Sequence, residues 1–255
     1  MTGGTILKHT RLTALVSFPR RRRKLTPRGC VVLHGLLLLT TLVCAGCARP
    51  RATASDRTSP IIYAAVGDST GVGLGARDGG GYVERLFARI EQKRPGSTLV
   101  NLSAAGATTA DAVNRQITRP DAERATLVTI CIGANDLLRG GEAKQFAENY
   151  ETLVGKLKQP GRLIVVANLP DVTSAPAAKG LAGESLRLRL EQFNGVIEAT
   201  AKRHELPLVD LYRLSKERLA SHPEFFSPDG LHPSDVGYAH WAEAMWAVVE
   251  PSILE

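Results

Sequence analysis

The fold class predicted by this 255-residue sequence is α/β: a three-layer α/β/α sandwich around a five-stranded parallel sheet. Three observations predict it. Short apolar runs recur at 61–66, 98–102, 126–132, 163–168 and 208–211, and they are too continuously apolar to keep one face wet, as strands buried on both sides are. Helical periodicity fills the gaps at 82–93, 110–117, 143–157 and 185–204 and returns at 235–249, which supplies the crossovers that parallel strands need. Small and polar residues collect directly after the first three runs, where an open α/β sheet places its chemistry. The doubly wound strand order 2-1-3-4-5 is the expected arrangement.

The chain begins with a leader, residues 1–46. It carries eight Lys or Arg and no Asp or Glu, with a basic block at Arg20–Lys24 ahead of an apolar run from Val31 to Val43. That run is shorter than the ~20 residues a membrane span needs, so an export signal is the better reading. The net charge of +7 belongs to this leader, because the rest of the chain holds 24 basic against 25 acidic residues. A polyanion-binding surface is therefore not implied, and no nucleic-acid partner is expected.

The leader ends in Cys44-Ala45-Gly46-Cys47, which resembles the lipobox of bacterial lipoproteins, where the last cysteine is lipidated and becomes the mature N-terminus. Cys44 departs from that pattern, which usually has Leu there. Cleavage after Ala45 by an ordinary signal peptidase and an uncleaved anchor stay open beside lipidation of Cys47. Residues 47–60, rich in Ala, Arg, Pro, Ser, Thr and Asp, read as a flexible tether, and the body that follows is 61–255. The expected location is extracytoplasmic, on the membrane through a lipid anchor or otherwise secreted.

The first apolar run ends in Val66-Gly67-Asp68-Ser69-Thr70, a strand end that delivers Ser69 onto a sharp turn. By itself Gly-Asp-Ser is more often an ordinary loop. Gly71-Val72-Gly73-Leu74-Gly75-Ala76 formally matches a dinucleotide-binding glycine pattern. Further glycines delay the helix to about Tyr82, however, and the second run ends in Asn101-Leu102-Ser103 rather than an acid, so that reading fails. After the second run, Gly106 lies in a small-residue turn where its N–H can approach a substrate unhindered.

The third run contains Cys131, the one cysteine of the body, so no disulfide framework or thiolate metal site is available there and a buried apolar role is expected. It continues into Ile132-Gly133-Ala134-Asn135-Asp136. Asn135 offers a neutral N–H donor at the carboxyl end of the sheet, and Asp136 reads as a helix N-cap. The stretch from Asp171 to Gly183, rich in Ala, Pro and Gly, is the longest irregular connection and is placed to shape a substrate mouth.

Near the C-terminus, Ser227-Pro228-Asp229-Gly230-Leu231-His232-Pro233 puts Asp229 three residues before His232, a spacing that lets the carboxylate hold one imidazole nitrogen while the other faces a nucleophile. His222 also precedes a proline, but Leu219 stands three residues before it and no acid is expected to orient it. Trp241 and Trp246 lie on the last helix, where packing with Tyr238, Ala242, Met245 and Val249 accounts for much of the pattern.

With Ser69, Gly106, Asn135 and His232 in this order, each in its motif, the chain resembles the SGNH (GDSL) serine hydrolases from about Ile61 to the last helix. Thr70 departs from the Leu or Ile common in that family. The resemblance implies a flavodoxin-like SGNH hydrolase fold and an esterase with Ser69, His232 and Asp229 as triad. It also implies an oxyanion hole from Ser69, Gly106 and Asn135, and no metal or organic cofactor. The implied substrates are small-molecule and lipid acyl esters, thioesters and O-acetyl groups on glycans. An acyltransferase or deacetylase on envelope glycans and a non-catalytic envelope-binding lipoprotein are the alternatives. Acyl chain length, leaving group and oligomeric state are not specified by the sequence.

Overall fold

The structure, a computed structural model, describes residues 59–178, 180, 183–218 and 222–254. The leader, Cys47 and the tether as far as residue 58 lie outside the described residues. At the tether's described end the Ser59 carbonyl accepts hydrogen bonds from Nε and Nη2 of Arg94.

The first strand, β1 (Ile62–Gly67), runs into a one-turn helix, α1 (Ser69–Val72). The long helix α2 (Tyr82–Lys93) then leads to β2 (Thr98–Asn101). A further turn of helix, α3 (Thr109–Asp111), continues as a π-helical turn over Ala112–Gln116 and is followed by α4 (Pro120–Glu123) and β3 (Leu127–Cys131). Next come α5 (Ala134–Leu138), α6 (Ala143–Leu157) and β4 (Leu163–Ala167). Two 3-10 turns at Val172–Ser174 and Pro176–Ala178 precede α7 (Glu184–His204) and β5 (Leu208–Val209). The described chain closes with α8 (Leu211–Arg218), a 3-10 turn at Pro223–Phe225 and α9 (Asp235–Leu254).

The five strands are parallel in the order β2-β1-β3-β4-β5, as the sequence pattern predicts. Alternation along each strand divides the core into two layers. Ala64, Val66, Val128, Ile130, Ile164 and Val166 face α6 and α7, where Phe146 and Phe193 stack at 4.3 Å. Tyr63, Ala65, Leu127 and Val165 face α2 and α9 and pack with Leu86, Ile90, Met245 and Val249. Among the described residues no helix is long and apolar enough to cross a membrane.

Besides the short helices α1, α4 and α5, which the sequence pattern does not announce, two elements differ from it. The run 208–211 is a strand only over Leu208–Val209, because Asp210 accepts the Arg213 N–H at 2.9 Å and so starts α8, a helix the apolar pattern does not announce. The expected regular helix at 110–117 is interrupted by its π turn, closed by the Ile117 N–H on the Ala112 carbonyl.

Candidate active site

Ser69 is the first residue of α1, directly beyond the buried strand β1. Asp68 caps that turn, its Oδ1 accepting the Thr70 N–H at 3.0 Å and the Thr70 hydroxyl at 2.9 Å. Thr70 therefore adds a second bond to the same carboxylate oxygen. Asp68 is 3% exposed, and burial raises its carboxyl above the usual range despite these bonds and the charge of nearby His232.

The loop before α9 brings the other two predicted residues to Ser69. An antiparallel bridge between Phe226 and Pro233 closes it, and the Ser227 N–H donates to the His232 carbonyl. Within the loop Asp229 Oδ1 accepts the N–H groups of Leu231 and His232 at 2.8 and 2.9 Å. Asp229 Oδ2 lies 2.7 Å from His232 Nδ1, and His232 Nε2 lies 2.9 Å from Ser69 Oγ. With Nδ1–H donating to the carboxylate, Nε2 is left as the acceptor for the serine hydroxyl. Partial burial works against the Asp229 charge, but the bonds from Leu231 and His232 outweigh it and hold its carboxyl well below the usual carboxylate range. The group that faces the imidazole stays ionised across the neutral range.

Gly106 and Asn135 reach the same cavity from β2 and β3. Asn135 lies in the first turn of α5, and its Nδ2 donates to the Ala107 carbonyl at 3.1 Å, which ties it to the Gly106 turn and leaves its second N–H for the cavity. Gly106 adopts φ +75°, and a Cβ there would stand 3.0 Å from Nη2 of Arg139. The Arg139 guanidinium thus lies against the glycine. Among the described residues it makes no side-chain hydrogen bond or ion pair.

Asp136 does not cap its own helix, whose N-cap is Gly133. It reaches across to α3 instead, accepting the N–H and hydroxyl of Thr109. Cys131 lines the cavity, and burial pushes its thiol up to about 12, which keeps it protonated in the neutral range. His222 has an acid after all, because Glu224 Oε1 lies 2.8 Å from its Nδ1, two residues downstream rather than three upstream. That pair is exposed and His222 is absent from the cavity wall.

The cavity measures about 320 Å³ and its wall is mostly hydrocarbon, with Leu74, Leu138, Val172, Leu214, Phe225 and Trp241 contributing. Val172 belongs to the irregular 171–183 stretch expected at the mouth. Sequence reasoning missed Gln116, whose side-chain amide bonds the backbone of Gly67, because no local motif surrounds it. Among the described residues no three His, Cys, Asp or Glu side chains group as metal ligands.

Comparison with known proteins agrees with this architecture. The GDSL-like lipase/acylhydrolase family matches residues 65–240. Esterase TesA of Pseudomonas aeruginosa is 26% identical over 186 residues, covering 73% of this chain and 86% of its own. An arylesterase of Vibrio mimicus is 26% identical over 136 residues, covering 53% of this chain and 62% of its own. Among solved structures, TesA superposes with a TM-score of 0.62 at 25% identity, covering 74% of this chain and 98% of that one. The acetylxylan esterase Axe2 of Geobacillus stearothermophilus shares the fold, with a TM-score of 0.63 at 22% identity over 75% of this chain and 94% of that one. By the match across residues 65–240, this chain belongs to the GDSL-like lipase/acylhydrolase family and is a carboxylic ester hydrolase.

Proposed function

We propose that the protein is an exported serine esterase for apolar acyl esters. Ser69 Oγ attacks the ester carbonyl while His232 Nε2 takes its proton, and the C–O bond to the alcohol breaks as His232 returns that proton to the leaving oxygen. Water, deprotonated by the same imidazole, then releases the carboxylic acid from Ser69. Asp229 holds the imidazole in the required tautomer and stabilises its charged form. The N–H groups of Ser69 and Gly106 and the Asn135 amide hold the oxyanion, and loss of one such donor typically lowers the rate by on the order of 10²- to 10³-fold.

The observation that carries this reading is the unbroken chain Asp229 Oδ2–His232 Nδ1 (2.7 Å) and His232 Nε2–Ser69 Oγ (2.9 Å), opening into an apolar cavity. Hydrocarbon walls favour an alkyl or aryl acyl group over the polar ring of a glycan. The Arg139 cation beside Gly106 favours an anionic group on the leaving alcohol. Export and lipidation at Cys47 complete the proposal, supported by the basic block, apolar run and Ala-Gly-Cys ending of the leader.

A serine-directed phosphonate tests the chemistry. The expected result is one adduct, on the peptide containing Ser69, absent from Ser69→Ala. An adduct on another residue contradicts the assignment. Mass spectrometry of the mature N-terminus tests the export reading: a diacylglyceryl group on Cys47 is expected, and an unmodified Cys47 retained behind Gly46 contradicts it.

A further inference from the structure

Strand β1 loses its neighbour just before the nucleophile. Its pairing with β2 ends at Ala65 and Asn101, and after the Leu102 N–H has donated to the Ala65 carbonyl the β2 chain turns away. Gly67 remains paired with Cys131 of β3 on the opposite edge. On the β2 edge its N–H and carbonyl would be left without a strand, two residues before Ser69.

A side chain fills that place. Gly67 N–H donates to Gln116 Oε1 at 3.1 Å, and Gln116 Nε2 donates to the Gly67 carbonyl at 2.8 Å. The carboxamide makes with Gly67 the reciprocal two-bond exchange of an antiparallel pair, at the place where the parallel ladder with β2 has ended. The Gly67 carbonyl has one other donor, the Ala104 N–H at 3.3 Å, whereas the N–H has only Gln116 among the described residues. Gln116 is 3% exposed and Gly67 is buried, so removing the amide leaves the Gly67 N–H as a buried donor while the carbonyl keeps the Ala104 N–H.

The element that presents Gln116 is the π-helical turn Ala112–Gln116, of which it is the last residue. A π turn admits one more residue than an α turn, and such turns concentrate at functional sites. Gly67 itself cannot carry a bulkier anchor, since a Cβ there would stand 2.9 Å from Ser103 Oγ and 3.1 Å from the Cys131 carbonyl. The strand end that sets the direction of Ser69 is thus a glycine, the residue with most backbone freedom, held on one side by β3 and on the other by a glutamine.

We infer that Gln116 is a positioning residue for Ser69, its amide acting as a one-residue surrogate strand that fixes Gly67 and, through Asp68, the Ser69 N–H and Oγ. The inference rests on Ser69 being the nucleophile. Gln116 touches no substrate, so removing it lowers the rate of acylation and leaves substrate affinity unchanged. Gln116→Leu fills the same volume without either bond. Gln116→Glu accepts from the Gly67 N–H at all pH values and donates to the Gly67 carbonyl only when protonated, so its activity relative to wild type rises as pH falls. For Gln116→Leu that ratio is independent of pH.

The test is kcat, KM and the phosphonate labelling rate for wild type, Gln116→Leu, Gln116→Glu and Ser69→Ala between pH 5 and 8, on protein shown to be folded by circular dichroism. The expected result is about a tenfold or larger fall in kcat and labelling rate for Gln116→Leu with KM within twofold of wild type, and partial recovery of Gln116→Glu toward pH 5. Wild-type kcat in Gln116→Leu overturns the inference, as does a pH-independent ratio for Gln116→Glu. Activity surviving in Ser69→Ala instead overturns the serine mechanism itself, and the two failures are told apart in one experiment. If Gln116→Leu does not fold, the pH-dependent ratio of Gln116→Glu decides alone.

Discussion

The Asp136 carboxylate of α5 closes on Thr109 of α3, accepting its N–H at 2.9 Å and its hydroxyl at 2.6 Å. This pair joins the two turns that carry the proposed oxyanion donors, since Asn135 adjoins Asp136 and Gly106 lies three residues before Thr109. Thr109 is fully buried, so neither of its groups finds water when the carboxylate is removed. Asp136→Ala is expected to lower stability by about 1–3 kcal/mol, the range for stranding buried polar groups. Its kcat is expected to fall further than the folded fraction explains. Urea melts beside kcat on the folded protein measure both effects, and wild-type kcat in a folded variant contradicts the clamp.

Asp68 gives a pH-dependent stability prediction. Burial raises its folded-state carboxyl above the unfolded value, so as pH rises the unfolded chain ionises first and the folded state is penalised. Both Thr70 bonds end on Oδ1, which an amide oxygen can replace. Asp68→Asn is expected to melt above wild type at pH 7, with the difference shrinking as pH falls into the ordinary carboxylate range. A difference that stays constant or grows toward low pH refutes this account.

The apolar cavity sets a chain-length preference. Each methylene it takes from water contributes roughly 0.8 kcal/mol, or about fourfold in kcat/KM. Hexanoyl and octanoyl esters are therefore expected to exceed acetyl esters severalfold per added methylene until the cavity is full. A fall in kcat/KM from acetyl upward, measured on a chromogenic series, would show that the hydrocarbon wall does not bind the acyl chain.

Arg139 is expected to select by charge. It is exposed, so its effect is that of a surface ion pair, about two- to fivefold. Arg139→Gln should lower kcat/KM by that factor for an ester whose leaving alcohol carries a carboxylate or phosphate, and leave a neutral ester of the same acyl group within error of wild type. Added salt should erase the difference. Equal losses on both substrates would assign Arg139 to the oxyanion instead.

What was legible in the sequence was what is local. The strands read as continuous apolar runs because both faces of the sheet are covered, and Asp229 and His232 are three residues apart on one loop. Ser69, Gly106, Asn135 and His232 each stand in a short motif, and the fold brings the four motifs to one cavity. What escaped was long-range or irregular. Gln116 bonds Gly67 across 49 residues from a π turn that no 3.6-residue pattern announces. Asp136 reads as a cap for its own helix but serves Thr109, 27 residues away. The α8 helix was hidden because Asp210 ends the apolar run by capping rather than by a change in hydropathy.

Hydrolysis of an octanoyl chromogenic ester by the protein from Ala48 onward, with Ser69→Ala, His232→Ala and Asp229→Asn beside it, tests the proposed mechanism most directly. The expected result is loss of activity to near background in the Ser69 and His232 variants, a large fall in kcat in Asp229→Asn, and unchanged folding in all three. Activity retained in Ser69→Ala would contradict it.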